Sequence, residues 1–186
     1  MIIEQKQKNM RKWFSILEFI IVFGLTFISA CKTKQPVANS EPLPSQIVTD
    51  FKMYESASGK RMYYLYAEKA FVYEEPQKIN VVRPYVIFYK ENGSVNSTLK
   101  SISGWVNSKT SDLFAKDSVI VQTSDSTILR TDSLVWDNDD EIITTDAWVK
   151  IDSKQGLIEG QGLTSDAGLK KIEIKSSVTG KSHYEF

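Results

Sequence analysis

One cysteine and one histidine, Cys31 and His183, stand among 186 residues. A single cysteine can close no disulfide within the chain, and a lone histidine excludes a zinc site of the usual Cys/His type. His183 lies in the polar tail Lys181-Ser182-His183-Tyr184, with nothing to hold it as the base of a triad. Charge of one sign is also missing: Lys plus Arg and Asp plus Glu are 23 each, so the overall balance does not point to nucleic acid. The acidic run Asp137-Asn138-Asp139-Asp140-Glu141 lacks the glycine and the spaced ligands of a calcium loop, and it reads as a solvated hairpin turn. Gly156, Gly160 and Gly162 open no helix and so form no phosphate loop; tight turns and close strand approach account for them. No catalytic residue, metal or cofactor is expected, and the chain reads as a non-enzyme.

Long apolar runs are scarce too. Phe19 to Ala30 is apolar for 12 residues after the cationic stretch Lys6 to Lys12, short of the roughly 20 needed to span a bilayer. Of the 23 basic and 23 acidic groups, four and two lie in the first thirty residues, which leaves the remainder at a net charge of −2. A cationic start, an apolar middle and small residues at the end are the order of a secretory signal. The ending Ile28-Ser29-Ala30-Cys31 resembles the bacterial lipobox, in which cleavage precedes a cysteine that takes a diacylglycerol. Two or more acyl chains, at about 0.8 kcal/mol per buried methylene, make a durable anchor where one is marginal. The competing reading is an uncleaved membrane helix with an incidental cysteine. Either one leaves the rest of the chain across the inner membrane and attached to it. Lys32 follows the cysteine where an aspartate would retain the protein at the inner membrane in enteric bacteria, so the choice of membrane stays open.

Three of the five prolines (Pro36, Pro42, Pro44) fall between Lys32 and Gln46, the composition of an extended tether. The expected division is a signal over 1–30, the lipidated cysteine and tether over 31–46, and a β domain over 47–186. In that domain short runs rich in Val, Ile, Tyr, Trp, Phe and Thr recur between turn residues. They are Tyr63–Ala67, Ala70–Tyr73, Tyr85–Tyr89, Ser118–Thr123, Thr127–Thr131, Ser133–Asp137, Glu141–Thr144, Trp148–Asp152 and Leu157–Gly160. Asn92-Gly93 marks a hairpin. Val119 and Val121 share a face against Ile120 and Gln122, Leu134 and Trp136 oppose Val135, and Val149 and Ile151 oppose Trp148 and Lys150. Strands with one apolar face require two packed sheets or one sheet folded over. Thr131-Asp132-Ser133-Leu134-Val135-Trp136 is echoed by Thr145-Asp146-Ala147-Trp148-Val149-Lys150 and more faintly by Ser165-Asp166-Ala167-Gly168-Leu169-Lys170. Each echo reads as a polar turn pair followed by a strand, in a stack of hairpins.

The second half also resembles a known family. Gly104-Trp105-Val106-Asn107, Thr110-Ser111-Asp112-Leu113, Ser118-Val119-Ile120-Val121, Leu129 to Asp137 and Gly156 to Leu163 are similar to segments of the LptC family, membrane-tethered periplasmic components of the lipopolysaccharide exporter. Tyr64-Leu65-Tyr66-Ala67-Glu68-Lys69-Ala70 resembles the family's early strand motif, and the likeness runs from about Ile47 to Ile174. Many members hold on by a transmembrane helix, whereas this chain reads as lipidated.

The resemblance implies an all-β fold, a β-jelly-roll of folded antiparallel sheets open along one side. Its partners would be lipopolysaccharide, the subunits of an inner-membrane ABC transporter and an LptA-like periplasmic bridge protein, and its place the periplasmic face of the inner membrane. Phe71, Tyr73, Val86, Phe88, Val119, Val121, Leu134, Trp136, Val149 and Ile151 are the expected groove lining. Alternation alone favours a closed, dry core for these residues; the resemblance favours the groove. The end segments Ile47–Tyr54 and Lys171–Ser176, with Val48, Phe51, Ile172 and Ile174, are expected edges for β-augmentation, against the reading that they are ordinary terminal strands. Two other functions compete: an adaptor lipoprotein that docks partners and carries no lipid, and a carrier of some other envelope cargo.

Overall fold

The computed structural model describes residues 42–183. The expected signal, Cys31 and most of the tether lie outside the described residues. From Gln46 the chain forms eleven antiparallel strands: β1 (Gln46–Ala57), β2 (Lys60–Tyr73), β3 (Lys78–Val82), β4 (Tyr85–Tyr89), β5 (Val95–Lys100), β6 (Ser103–Asn107), β7 (Leu113–Thr123), β8 (Ile128–Asp137), β9 (Ile142–Asp152), β10 (Gly156–Asp166) and β11 (Ile172–Ser182). All belong to one sheet.

The sheet is folded over on itself. β2 gives one edge to β1 and divides the other, with Tyr63–Tyr66 on β4 and Lys69–Tyr73 on β3. β7 is divided in the same way, since Leu113–Lys116 meet β6 and Ile120–Thr123 meet β5. β4 pairs with β5, and β3 with β6. Two limbs therefore run between β2 and β7. The short links cross from limb to limb along the fold line, where Arg83 N–H donates to Ile102 O (2.9 Å) and Ile102 N–H to Asp117 O (3.0 Å).

The long strands bend where they cross that line. Register slips between Lys116 and Val119, between Thr131 and Val135, and twice between Glu159 and Leu163, as bulges that sharpen strand curvature do. Asp50, Asp117 and Ser118 carry φ of 52°, 65° and 53°, in the left-handed region that short polar side chains tolerate. At such a bend the inward face changes parity. In β8, Leu129 and Thr131 point in before it and Leu134 and Trp136 after it.

Strand pairs expected as separate are thus single bent strands. Tyr63–Ala67 and Ala70–Tyr73 are the two halves of β2, and β8 and β9 were divided likewise. Thr131-Asp132 and Thr145-Asp146 lie inside β8 and β9, at their bends, and are not turns before a strand. Ser165-Asp166 does end a strand at a hairpin. The hairpin at Asn92-Gly93 forms, with Gly93 at φ 80°. In the β8–β9 turn Asp137 accepts the Asp139 and Asp140 N–H groups, so the acidic run is a hairpin turn.

Candidate functional site

Inward residues of the two limbs form continuous apolar rows. In the first limb the register aligns Leu65, Val86, Leu99, Val121, Leu129 and Ile151 across six strands. In the second, Ile79, Val106, Leu113, Trp136 and Ile143 align likewise. All eleven are buried. Across the fold, Phe88 of the first limb meets Trp136 of the second with ring centroids 4.7 Å apart.

Eight of the ten expected lining residues are in this interior. Val86, Phe88, Val119, Val121, Leu134, Trp136, Val149 and Ile151 are each 3% exposed or less. The limbs meet around them, and a void of about 10 Å³ lies beside Leu65, Val86, Leu99, Leu134 and Trp136. Phe71 and Tyr73 are a correction, because they lie on the outer face, half-buried. β2 changes face between Ala67 and Ala70, both buried, so the odd-numbered positions that point inward at Tyr63, Leu65 and Ala67 point outward beyond the bend. Tyr63, Leu65, Leu99, Leu129, Ile143 and Leu163 are interior positions beyond the ten expected. In β5 the alternation is masked by Asn96, Ser97 and Thr98, of which Ser97 is buried.

The tips of the limbs are joined by polar contacts. Tyr63 Oη donates to Ser111 O (2.9 Å), and Ser111 Oγ donates to Glu55 Oε2 (2.8 Å). Burial holds the Tyr63 hydroxyl above the usual tyrosine range, and the carboxylates of Glu55 and Asp112 push the same way. At the β10–β11 hairpin, Ser97 Oγ donates to Ala167 O (2.5 Å). Lys170 pairs there with Asp125 of the β7–β8 turn, and its ammonium holds that carboxylate well below the usual range, with the Thr123 hydroxyl helping. Inside the second limb, Ser165 Oγ is buried and finds no hydrogen-bond partner among the described residues.

Toward the two ends of the sheet the interior is less covered. Val48, Phe51 and Met53 of β1 pack half-buried against the core, as does Ile174 of β11. Ile172 is 37% exposed and Ile158 is 39% exposed. β1 pairs only with β2 and β11 only with β10, so among the described residues both terminal strands keep a free edge. The expected edge residues Val48, Phe51, Ile172 and Ile174 sit on these two strands. His183, 3.1 Å from Asp152 and about half exposed, is not in the interior.

A family model described as LptC, lipopolysaccharide-assembly, LptC-related, matches residues 16–185. No curated protein matches the chain.

Proposed function

The chain belongs to the LptC family, and on that footing we propose that it carries lipopolysaccharide between protein partners without catalysing a reaction. Members of the family serve lipopolysaccharide transport in the envelope, in association with the inner membrane. In the proposed role the protein is held by lipid on Cys31 at the periplasmic face of the inner membrane. It receives lipopolysaccharide from an inner-membrane ABC transporter and passes it to an LptA-like bridge protein.

The observation that carries this reading is the folded sheet with a continuous apolar inner face, which ends on each side, among the described residues, in a half-covered strand with a free edge. Each acyl methylene is worth about 0.8 kcal/mol in an apolar site. A lipid with several chains cannot leave such a site for water at a useful rate. Transfer becomes feasible where one apolar interior abuts another, so that little free energy changes along the path. β-Augmentation at β1 and β11 would bring the interiors of neighbouring proteins into line.

The limbs meet at their tips, and in the proposed role acyl chains enter as they part there. There the joining contacts are polar and few, and Phe88 and Trp136 meet behind them. The closed interior also favours a second reading, an adaptor that docks partners through its edges and carries no lipid. Photocrosslinkers at Val121 and Trp136, in cells that make lipopolysaccharide, separate the two. The transfer role predicts lipopolysaccharide adducts that vanish when the transporter ATPase is inactive. Crosslinks to protein from Ile172 and Ile174, with no lipid adduct from either interior position, would support the adaptor.

A further inference from the structure

The outer face of the second limb carries a trough that the transfer role does not use. Its residues form a grid across β2, β3, β6 and β7. One row is Phe71, Asn80, Trp105 and Phe114, and the next is Lys69, Val82, Ser103 and Lys116. Tyr73 and Lys78 face each other beyond the first row. Between the rings of Phe71 and Trp105, two strand spacings or roughly 10 Å apart, stands only the short Asn80. The result is an open cleft of about 410 Å³, with Phe71 and Tyr73 on one side and Trp105 and Phe114 on the other. That size is within the range of small-molecule sites.

Its chemistry has two parts. Trp105 and Phe114 are stacked, with centroids 5.6 Å apart at 30°, and they offer ring faces to a flat or sugar-like ligand. Lys69 Nζ lies 5.6 Å from the Phe71 centroid and Lys78 Nζ 5.0 Å from that of Trp105. Lys116 lines the cleft. None of the three ammonium groups pairs with a carboxylate among the described residues. Asp117, at the border, accepts the Ser103 hydroxyl (2.9 Å). The Asn80 amide on the floor makes no hydrogen bond to any described side chain.

We propose that this trough binds a phosphorylated sugar, free or as the head of a glycolipid, with the ring between Phe71 and Trp105, its hydroxyls on Asn80 and its phosphate on Lys116, while Lys78 adds positive charge from the other side of the aromatic row. Aromatic faces accept the apolar face of a sugar ring, and unpaired ammonium groups over those faces attract the anion. The site goes beyond the lipid path and does not depend on it, since no acyl chain is involved.

The test uses the lipidated protein, residues 31–186, in detergent with ¹⁵N-labelled tryptophan indoles, of which that span has three. Glucosamine 6-phosphate should move the Trp105 signal saturably and leave that of buried Trp136 in place. The combined change Lys78→Gln and Lys116→Gln should weaken this response at least fivefold, as should Trp105→Leu followed through the amides of β3 and β6. A response to a phosphorylated glycolipid in micelles but not to the free sugar, lost in the same lysine variant, assigns the site to a lipid headgroup. The proposal is overturned if neither ligand moves Trp105, or if inorganic phosphate does so equally well. An equal response to phosphatidylglycerol vesicles overturns it in favour of a bilayer contact.

Discussion

Tyr63 ties the two limbs together from within the core, and its chemistry gives the fold a pH limit. Its hydroxyl donates to Ser111 O while the ring is fully buried. Tyr63→Phe should lower stability at neutral pH by about 1 kcal/mol, the net worth of one such bond. At high pH the order changes. Because the folded-state pKa is raised, the native protein keeps this contribution below the ordinary tyrosine value of about 10 and loses it as pH climbs further. Urea midpoints measured against pH should therefore fall less steeply above about pH 10 in Tyr63→Phe than in the parent; parallel curves would show that Tyr63 does not set the limit. Ser165 presents the opposite case, a buried hydroxyl with no partner among the described residues. Ser165→Ala should be neutral or stabilising by up to about 1 kcal/mol, and a clear loss in the same titration would mean that the hydroxyl is satisfied after all.

At the scale of elements, the bends explain what was legible and what was not. The strand type, the inward faces of Val119, Val121, Leu134, Trp136, Val149 and Ile151, and the hairpin at Asn92-Gly93 could all be read from alternation and turn chemistry. The continuity of β2, β8 and β9 could not, because a change of parity inside a strand looks the same in sequence as the end of one strand and the start of another. The same effect sent Phe71 and Tyr73 to the wrong face. β3 is not legible because Lys78 and Asn80, residue types depleted in strands, interrupt its short apolar run. That the whole makes one folded sheet depends on how β2 and β7 divide their edges, which is a long-range property.

Two close contacts make the elements testable. A Cβ on Gly104 would stand 2.4 Å from Phe114 O, so Gly104→Ala forces β6 and β7 apart and should cost about 2–3 kcal/mol; a thermal midpoint within a degree of the parent would contradict this. The hairpin tips held by Lys170 and Asp125 give a lever on opening. A thiol crosslink between Asp125→Cys and Lys170→Cys should block loading of the interior by lipopolysaccharide, and reductant should restore it. Unchanged loading of the locked protein would place the entry elsewhere.

For the whole molecule, the proposed transfer role calls for a conduit and not an independent store. Among the described residues the core is buried where the limbs meet, half-covered at β1 and β11, and bounded there by free edges. In the proposed role, a partner strand added at either end would bring a second apolar interior into line with this one. The central claim, that the inner face is the lipid path, is tested most directly by neighbouring positions on one strand. Val121 points into the fold and is 1% exposed, while Ile120 points outward and is 38% exposed. With photocrosslinkers at each in turn and purified lipopolysaccharide added, Val121 should form the adduct and Ile120 should not, although Ile120 is the more accessible of the two. Equal adducts at both, or an adduct at Ile120 alone, would contradict the account.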